Sequence, residues 1–316
     1  MDVFTFKPAQ GIEVRCARAR PEGEARGSVV VLHGRTEFVE KYREVVGELC
    51  GRRFEVWTFD WRGQGLSTRL LENRSKGYVG SFQDYLEDLT FFLDQVYEPC
   101  GGPRVVLGHS MGGNVGLSLL TRRPDAFDVG VFTAPMLGVN APVPTPLLEA
   151  AMWGASRLGL GQRYLSGGDY GIRDRRFFGN KLTGDLRRFA RTSRWIDANP
   201  KLGVGGITVG WMAAACAAMS RLADPEVARK METPALLLCA GREVRVDNTS
   251  VHAFAQMAPG ASVVTLPAAK HEILHETDEV RARFWGAFDA FVEPLVERHQ
   301  TKSAARASTP STSSPS

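Results

Sequence analysis

The sequence predicts an α/β protein with a mostly parallel β-sheet, helices on both faces of that sheet and an inserted helical cap. Three observations predict this class. Short apolar runs typical of buried strands recur along the chain, segments with helical periodicity lie between them, and the alternation is interrupted once. With 43% hydrophobic and 23% charged residues in 316 positions, the composition is that of a globular protein and not of a disordered or fibrous one.

The predicted strands are short runs of β-branched and other apolar residues. They occupy residues 28–33, 55–59, 104–108, 128–133, 234–240 and 262–266. The alternation stops between about 137 and 224, and strand-like runs resume at 234, so this segment is predicted to be an insertion and not a separate domain. We therefore expect a core formed by residues 1–136 and 225–297, with the cap at 137–224.

Helical periodicity is clearest in residues 81–97, where apolar side chains recur three and four positions apart. Ser81 and Asp84 have the spacing of a capping box at the start of this helix. A second helix is predicted at 279–297, and helical segments in the cap are predicted near 147–158, 183–197 and 207–222. The last residues, 298–316, are of low complexity and are predicted to form a disordered tail.

The N-terminal residues from Asp2 to Arg20 contain too many charges for the apolar segment of a signal peptide. Two uncharged stretches, 129–148 and 202–220, are interrupted by Pro or Gly, so we expect neither to span a membrane. The five cysteines are scattered and include no CxxC pair, which indicates reduced thiols and argues against a disulfide framework or a zinc ribbon. We expect a cytoplasmic protein.

The pentapeptide Gly108-His109-Ser110-Met111-Gly112 matches GxSxG and lies between a predicted strand and a helical segment. A serine on such a strand-to-helix turn projects its hydroxyl above the sheet, and the flanking glycines give the strained turn the room that it needs. GxSxG alone occurs by chance in many sequences, but this context predicts Ser110 as a nucleophile.

A serine nucleophile needs a general base, which we expect on the loop after the last strand. His271 follows the strand at 262–266 and a short turn, and it is the predicted base. His275 is its rival. The remaining histidines lie inside motifs at strand ends, in a predicted helix or in the tail, and these are His33, His109, His252 and His299.

An acid should orient that histidine from the loop after the strand at 234–240, which keeps the chain order serine, acid, histidine. Two carboxylates compete in this loop. Glu243 is nearer to the strand end and is favoured. Asp247 is the alternative, but its position also suits the N-cap of the next helix.

A tetrahedral intermediate needs two N–H donors. The backbone amide of Met111 follows the nucleophile at a helix N-terminus, and the amide of Arg35 follows the His33-Gly34 turn after the first core strand. On the cap segment 207–222, Trp211 and Met212 are the predicted substrate contacts. Trp211 shares a helix face with Ile207, Ala214, Ala218 and Leu222, and packing of the cap against the core would explain that face equally well.

With these motifs in place, the sequence resembles the α/β-hydrolase superfamily, and within it the lysophospholipase L2 and monoacylglycerol lipase group. The matching segments are distributed over most of residues 28–297. They are HGRTEFVEKY at 33–42, FDWRGQGLS at 59–67, GYVGSFQDYLEDL at 77–89, GHSMGG at 108–113, FTAPMLGV at 132–139 and His271-Glu272. GHSMGG marks only the superfamily, whereas the other segments together are more specific.

The resemblance implies hydrolysis of a single-chain lipid ester through Ser110, His271 and an acid, without a cofactor or metal. Monoacylglycerol lipases carry aspartate at the acid position that aligns with Glu243, which keeps the choice between Glu243 and Asp247 open. A peptidase or an acyltransferase with the same triad is the alternative, because such relatives share this core. A hydrolase fold that has lost catalysis and serves only for binding is a further alternative, although no essential residue is missing.

The segment from His271 to His275 also spells HExxH, the motif of zinc peptidases, for which Glu293 or Glu297 is a conceivable third ligand. The motif requires both histidines on one face of a long helix, whereas this segment directly follows a strand and a turn. Zinc catalysis would also leave GHSMGG and the oxyanion loop unexplained, so we expect no metal.

Charge is concentrated in the cap. Residues 138–224 contain twelve Lys or Arg and six Asp or Glu, a net +6, which leaves the core acidic. In residues 173–194, basic side chains alternate with aromatic and aliphatic ones, a composition that suits an anionic membrane surface. The basic residues are Arg173, Arg175, Arg176, Lys181, Arg187, Arg188, Arg191 and Arg194, and the only acidic ones are Asp174 and Asp185. We therefore predict peripheral contact of the cap with the inner membrane face, and no nucleic-acid binding because no such motif is present. Alternatively, these arginines pair with acids of the core.

Overall fold

A computed structural model describes residues 1–171 and 176–307. The strands are β1 (Asp2–Ala9), β2 (Ile12–Ala19), β3 (Gly27–Leu32), β4 (Phe54–Phe59), β5 (Arg104–His109), β6 (Val129–Thr133), β7 (Tyr164–Ser166), β8 (Ile207–Thr208), β9 (Ala235–Ala240) and β10 (Ala261–Leu266). The α-helices are α1 (Arg43–Gly51), α2 (Phe82–Gln95), α3 (Met111–Leu120), α4 (Thr145–Ala155), α5 (Leu186–Ala198), α6 (Val209–Ala223), α7 (Pro225–Ala228), α8 (Asn248–Met257) and α9 (Asp278–Ala307).

The main sheet has the strand order β1-β2-β4-β3-β5-β6-β9-β10. All neighbours from β4 to β10 are parallel, and β1 and β2 add an antiparallel edge. Strands β3, β4, β6 and β9 are buried along their whole length. This is why their sequences are continuous apolar runs, as in parallel sheets with both faces covered. Helices α1 and α9 cover one face, α2, α3 and α8 pack on the other, and α6 packs over these three helices.

Each of the predicted strands coincides with a strand of the main sheet, but the N-terminal hairpin of β1 and β2 was not predicted. The two strands turn at Gly11, whose φ of 74° is accessible to glycine without strain. The alternation of buried Val14 and Cys16 with polar neighbours is the signal that marks β2. An antiparallel edge tolerates charged residues on its solvent face, so this signal is weaker than that of the central strands.

Two helix predictions need correction. Ser81 does cap α2, since its side chain accepts the N–H of Gln83 at 3.1 Å. Among the described residues the Asp84 carboxylate accepts no hydrogen bond from the Ser81 N–H and lies 3.7 Å from Arg62, so the reciprocal half of the expected capping box does not form. The last helix runs to Ala307, so residues 298–307 are helical and not part of a disordered tail. The residues TKSAARA at 301–307 lack Pro and Gly and include several good helix formers. The remainder of the predicted tail lies outside the described residues.

The chain between β6 and β9 leaves the sheet and contributes α4, α5, α6 and a small two-stranded antiparallel sheet of β7 and β8. Helix α6 connects this segment to the core because it packs on α2, α3 and α8, whereas α4 packs mainly on α6. Thr208 caps α6 by accepting the N–H of Trp211 at 3.3 Å. No helix in the described part of the chain is long and apolar enough to cross a bilayer.

Candidate active site

Ser110 lies on the turn between β5 and α3, in a backbone conformation that only a few non-glycine residues adopt. Its φ is 50°, and 8% of its surface is exposed. The turn requires glycine nearby: a Cβ at Gly112 would meet the carbonyl oxygen of His33 at 2.6 Å, and a Cβ at Gly108 would meet the Phe132 ring at 2.8 Å. The GxSxG pattern therefore follows from close contact between the turn and its neighbouring strands.

The structure brings Ser110, His271 and Glu243 together from the carboxyl ends of β5, β10 and β9. His271 Nε2 is 3.1 Å from Ser110 Oγ, and His271 Nδ1 is 2.7 Å from Glu243 Oε2. The Glu243 side chain is 2% exposed. With Nε2 accepting the serine proton and Nδ1–H donating to the carboxylate, the imidazole can act as a base towards the hydroxyl.

Glu243 is held on both sides of its carboxylate. Its Oε1 accepts the backbone N–H of Val244 at 2.8 Å and that of Arg245 at 2.7 Å, while Oε2 faces His271. Burial alone would raise the pKa of Glu243, but the hydrogen bonds with His271 and the two amides lower it. The carboxylate is therefore ionised beside the imidazole.

Asp247 has a different position. It is the N-cap of α8 and accepts the N–H of Thr249 at 2.9 Å and of Ser250 at 3.1 Å. Burial raises its pKa, but the Ser250 hydroxyl and these amides lower it overall. Of the two acids that the sequence left open, the structure places Glu243 at the histidine and Asp247 at the helix end.

The segments that carry the Arg35 and Met111 amides flank the serine. The neighbouring amides are occupied: the N–H of Gly34 bonds Glu37 Oε2 at 2.5 Å, and the N–H of Thr36 bonds Gln64 Oε1 at 2.6 Å. Over residues 1–171 and 176–307, neither the Arg35 nor the Met111 N–H donates an internal hydrogen bond. Met111 is also the first residue of α3, where backbone N–H groups have no partner within the helix.

A buried charge network that sequence reasoning missed lies next to the Gly34 turn. Lys41 Nζ is 2.7 Å from both Glu37 Oε1 and Glu272 Oε1, and Glu37 Oε2 also accepts from the Tyr42 hydroxyl at 2.8 Å. Burial would lower the pKa of Lys41, but the two carboxylates raise it. The spacing of Glu37 and Lys41, four residues apart, is a signal that could have indicated the pair.

The HExxH segment is not arranged as in a zinc peptidase. Ile273–His275 is one 3₁₀ turn, His271 faces Ser110 and Glu243, and Glu272 is paired with Lys41. His275 packs edge-to-face on Tyr42 with ring centroids 5.1 Å apart, and burial holds the pKa of His275 well below its usual value. No group of three or more potential metal ligands occurs among the described residues.

Trp211 and Met212 are buried in the cluster between cap and core, with 3% and 8% exposure. The Trp211 ring packs edge-to-face on Phe82, at 5.7 Å between centroids, and lies under the Arg35 guanidinium at 5.2 Å. Arg35 also donates to the carbonyl oxygen of Gly205 at 2.9 Å and to that of Gly206. Arg35, whose backbone amide the sequence predicted as an oxyanion donor, therefore contacts the cap through its side chain.

Only some of the basic residues in the cap segment are exposed to solvent. Arg188 is buried and pairs with Glu44 at 2.7 Å, Asp278 at 2.6 Å and Asp185 at 3.0 Å, and Arg191 pairs with Glu44 at 2.8 Å. Arg188 and Arg191 therefore pair with acids of the core, which was the alternative interpretation of this segment. The exposed basic residues of the segment are Arg176, Lys181, Arg187 and Arg194, while Arg173, Asp174 and Arg175 lie outside the described residues.

The sheet order, the serine turn after β5, and the acid and histidine after β9 and β10 define an α/β-hydrolase fold with the residues of a serine hydrolase. The family model described as serine aminopeptidase S33 matches residues 23–278, and the chain belongs to this family of hydrolases. This confirms the α/β-hydrolase fold and the family resemblance that the motifs indicated.

Among similar proteins, lysophospholipase L2 of Escherichia coli K12 is 33% identical, with 96% of this chain and 90% of that protein covered. The probable lysophospholipase L2 of Haemophilus influenzae is 30% identical, covering 83% of this chain and 82% of that protein. A solved structure of a soluble variant of monoglyceride lipase from Saccharomyces cerevisiae, in complex with a substrate analogue, superposes with a TM-score of 0.70. It has 18% identity and covers 94% of both chains.

Proposed function

We propose that this hydrolase cleaves esters of single-chain lipids, lysophospholipids or monoacylglycerols, with Ser110, His271 and Glu243 as its catalytic triad. The observation that carries the proposal is the continuous hydrogen-bonded path from Ser110 Oγ through both ring nitrogens of His271 to Glu243, at 3.1 and 2.7 Å. Similarity to lysophospholipase L2 over nearly the whole chain supports the substrate class.

In the proposed reaction, Ser110 Oγ attacks the ester carbonyl carbon while His271 Nε2 takes the hydroxyl proton. The carbonyl oxygen becomes an oxyanion that accepts hydrogen bonds from the N–H groups of Arg35 and Met111. Collapse of the tetrahedral intermediate breaks the bond to the alcohol oxygen, which receives the proton from His271. Water, deprotonated by the same histidine, then attacks the acyl carbon. Collapse of this second intermediate breaks the bond to Ser110 Oγ, which takes the proton back from His271, and the fatty acid is released.

Glu243 has two parts in this scheme. It accepts the Nδ1–H of His271, which fixes the tautomer with a free Nε2, and its negative charge stabilises the imidazolium that forms after proton transfer. The backbone N–H groups of Val244 and Arg245 hold the other carboxylate oxygen, so the acid is oriented before substrate arrives.

The family description raises an aminopeptidase as the alternative to a lipid esterase. An aminopeptidase must bind the free ammonium of its substrate, and a carboxylate is the natural partner for that charge. The buried carboxylates next to the serine turn, Glu37 and Glu272, are already paired with Lys41. We therefore favour the ester over the peptide.

A hydrolysis panel tests the proposal. The purified chain is assayed on lysophospholipids, monoacylglycerols, short p-nitrophenyl esters and aminoacyl p-nitroanilides, and fatty-acid release is measured. We expect hydrolysis of the two lipid classes with Ser110-dependent acylation, seen as a burst of p-nitrophenol. Cleavage of the aminoacyl anilides without lipid hydrolysis would assign the site to a peptidase.

We further propose that the cap contacts the membrane peripherally, from the cytoplasmic side. Helix α4 has no buried residue, and its apolar side chains include Leu147, 63% exposed, and Trp153, 58% exposed, with Leu158 beyond it at 80%. The cap segment from 176 to 194 adds fully exposed Phe178 and exposed basic residues. Apolar and basic groups together suit the surface of an anionic bilayer.

The five cysteines are all free, which fits the reducing compartment that contact from the cytoplasmic side requires.

A further inference from the structure

A cavity of about 260 Å³ opens at the surface between α2, α3 and α6. The described residues that line it do not include Ser110, His271 or Glu243. Its apolar wall combines side chains from all three helices, which are Phe82, Leu86, Val115, Ala214 and Ala218. Phe82, Leu86, Val115 and Ala214 belong to the packed core and present only a small part of their surface to the cavity, whereas Ala218 is half-buried.

Two arginines, Arg122 and Arg221, line the same cavity. Arg122 donates to Gln83 Oε1 at 2.7 Å, and Gln83 in turn donates to Glu87 at 3.2 Å. In the described part of the chain, no carboxylate forms an ion pair with either guanidinium. Partial burial and the nearby charge of Arg221 both lower the pKa of Arg122. Two cations that share a cavity without a counter-ion repel each other, and a bound anion relieves that repulsion.

The start of α2 adds to this positive potential. Ser81, Phe82 and Gln83, which form the cap and first turn of this 14-residue helix, also line the cavity. Backbone N–H groups at a helix N-terminus attract anions through their partial positive charge. The cavity thus joins a cationic rim to an apolar wall, which is the chemistry of an amphipathic anion.

We propose that this cavity binds a fatty-acid anion, with its carboxylate between Arg122 and Arg221 and its alkyl chain against Phe82, Leu86 and Ala218. Pockets for drug-sized ligands span about 300–1,000 Å³, so the cavity suits a medium chain such as octanoate and not a whole lysophospholipid. The ligand class rests on the proposed function only in that a fatty acid is the product of that reaction. An alkyl phosphate shares the same chemistry and is a separate arm of the test.

The test is calorimetric titration of the Ser110→Ala protein with octanoate, octyl phosphate and octan-1-ol. The first variant is Arg122→Gln with Arg221→Gln, and the second is Ala217→Phe, which fills the cavity from an exposed position. The matched control is Arg123→Gln with Arg229→Gln. It removes the same charge from arginines that pair with Asp94 and Glu226 and do not line the cavity.

We expect octanoate to bind the parent protein more tightly than octan-1-ol. The cavity double variant should weaken octanoate binding on the order of tenfold, because two exposed charged contacts are lost. Ala217→Phe should also weaken it, and the control pair should not. Equal octanoate affinity in the cavity and control variants, or no octanoate binding, would overturn the proposal. If octyl phosphate binds more tightly than octanoate and depends on the same arginines, the ligand of the cavity is an alkyl phosphate and not a fatty acid.

The outcome of this binding test is independent of whether the proposed ester hydrolysis is correct. If the chain hydrolyses lipid esters but the cavity substitutions leave octanoate affinity unchanged, only the cavity inference fails. If octanoate binding depends on Arg122 and Arg221 while no ester is hydrolysed, the binding site stands and its connection with a reaction product is removed.

Discussion

Glu243 accepts a hydrogen bond from the His271 ring at 2.7 Å, although 28 residues separate the two in sequence. The contact forms because the two loops leave neighbouring parallel strands, β9 and β10, at the same edge of the sheet. Asp247 is only four residues further on, yet it is committed to the N-terminus of α8.

The first prediction concerns these two acids. Glu243→Gln should lower kcat by about 10⁴-fold, because an amide no longer fixes the histidine tautomer or stabilises its cation. Asp247→Asn should leave kcat nearly unchanged, since Asn also caps a helix, and Asp247→Ala should cost about 1 kcal/mol of unfolding free energy. Ester hydrolysis and urea denaturation of the three variants provide the measurements. The reverse order of kcat losses would assign the acid role to Asp247.

The second prediction concerns the nucleophile. Ser110→Ala should lower ester hydrolysis on the order of 10⁴–10⁶-fold, because the residual reaction relies only on binding and the oxyanion donors. Alanine removes a single oxygen, so the thermal midpoint should remain close to that of the parent. Steady-state assays and calorimetry measure both. Activity that survives the substitution and disappears on addition of a chelator would turn the argument to the HExxH segment and a metal.

The third prediction concerns Trp211. Trp211→Ala should shift the preference among acyl-chain lengths, because the ring packs under Arg35, whose backbone amide is a proposed oxyanion donor. Removing a buried tryptophan should also cost about 3–5 kcal/mol of stability. The measurement is kcat/KM for a series of monoacylglycerols, with Trp285→Phe on the opposite face of the sheet as a packing control. An unchanged chain-length profile with lowered stability would identify Trp211 as a packing residue only.

The fourth prediction concerns membrane contact. Leu147→Ser with Trp153→Ser should reduce co-sedimentation of the Ser110→Ala protein with vesicles, because both side chains are exposed on α4. Replacement of Lys181 and Arg187 by Gln should reduce binding only to anionic vesicles, and high salt should reproduce that loss. Hydrolysis of a soluble ester by the corresponding variants with Ser110 intact serves as the control for folding. Vesicle binding that ignores all four substitutions would exclude this surface as the contact.

The fifth prediction concerns acid stability. Burial would raise the pKa of Glu44, but Arg188, Arg281 and Arg191 lower it from 4.5 to about 2. Because the folded-state pKa is depressed, the contribution of Glu44 to stability is fully present above about pH 4.5 and is lost as the pH falls to about 2.

The loss of stability caused by Glu44→Gln should therefore be largest at neutral pH and shrink progressively below pH 4.5. Denaturant unfolding at several pH values measures it, with Glu226→Gln as the control at an exposed ion pair. A loss of stability on Glu44→Gln that stays constant down to pH 2 would contradict the lowered pKa of Glu44.

Much of the fold could be predicted because its determinants are local. The central strands are continuous apolar runs, and the helix at 82–95 shows its buried face in its periodicity. The edge hairpin was missed because charged residues interrupt its apolar pattern, as Glu13, Arg15 and Arg18 do in β2. The extension of α9 to Ala307 was missed because low-complexity composition outweighed the helix propensity of its alanines.

By itself, the sequence determined the α/β class, the serine turn and the order serine, acid, histidine. These depend on short segments: an apolar strand, two glycines that permit close approach, and a loop that begins where a strand ends. Only the tertiary structure decided which carboxylate faces His271, how Lys41 joins Glu37 to Glu272, and which cap arginines are paired with the core. Each of those outcomes joins side chains from distant segments, and their distances are set by how the helices pack on the sheet. Sequence spacing does not encode that packing.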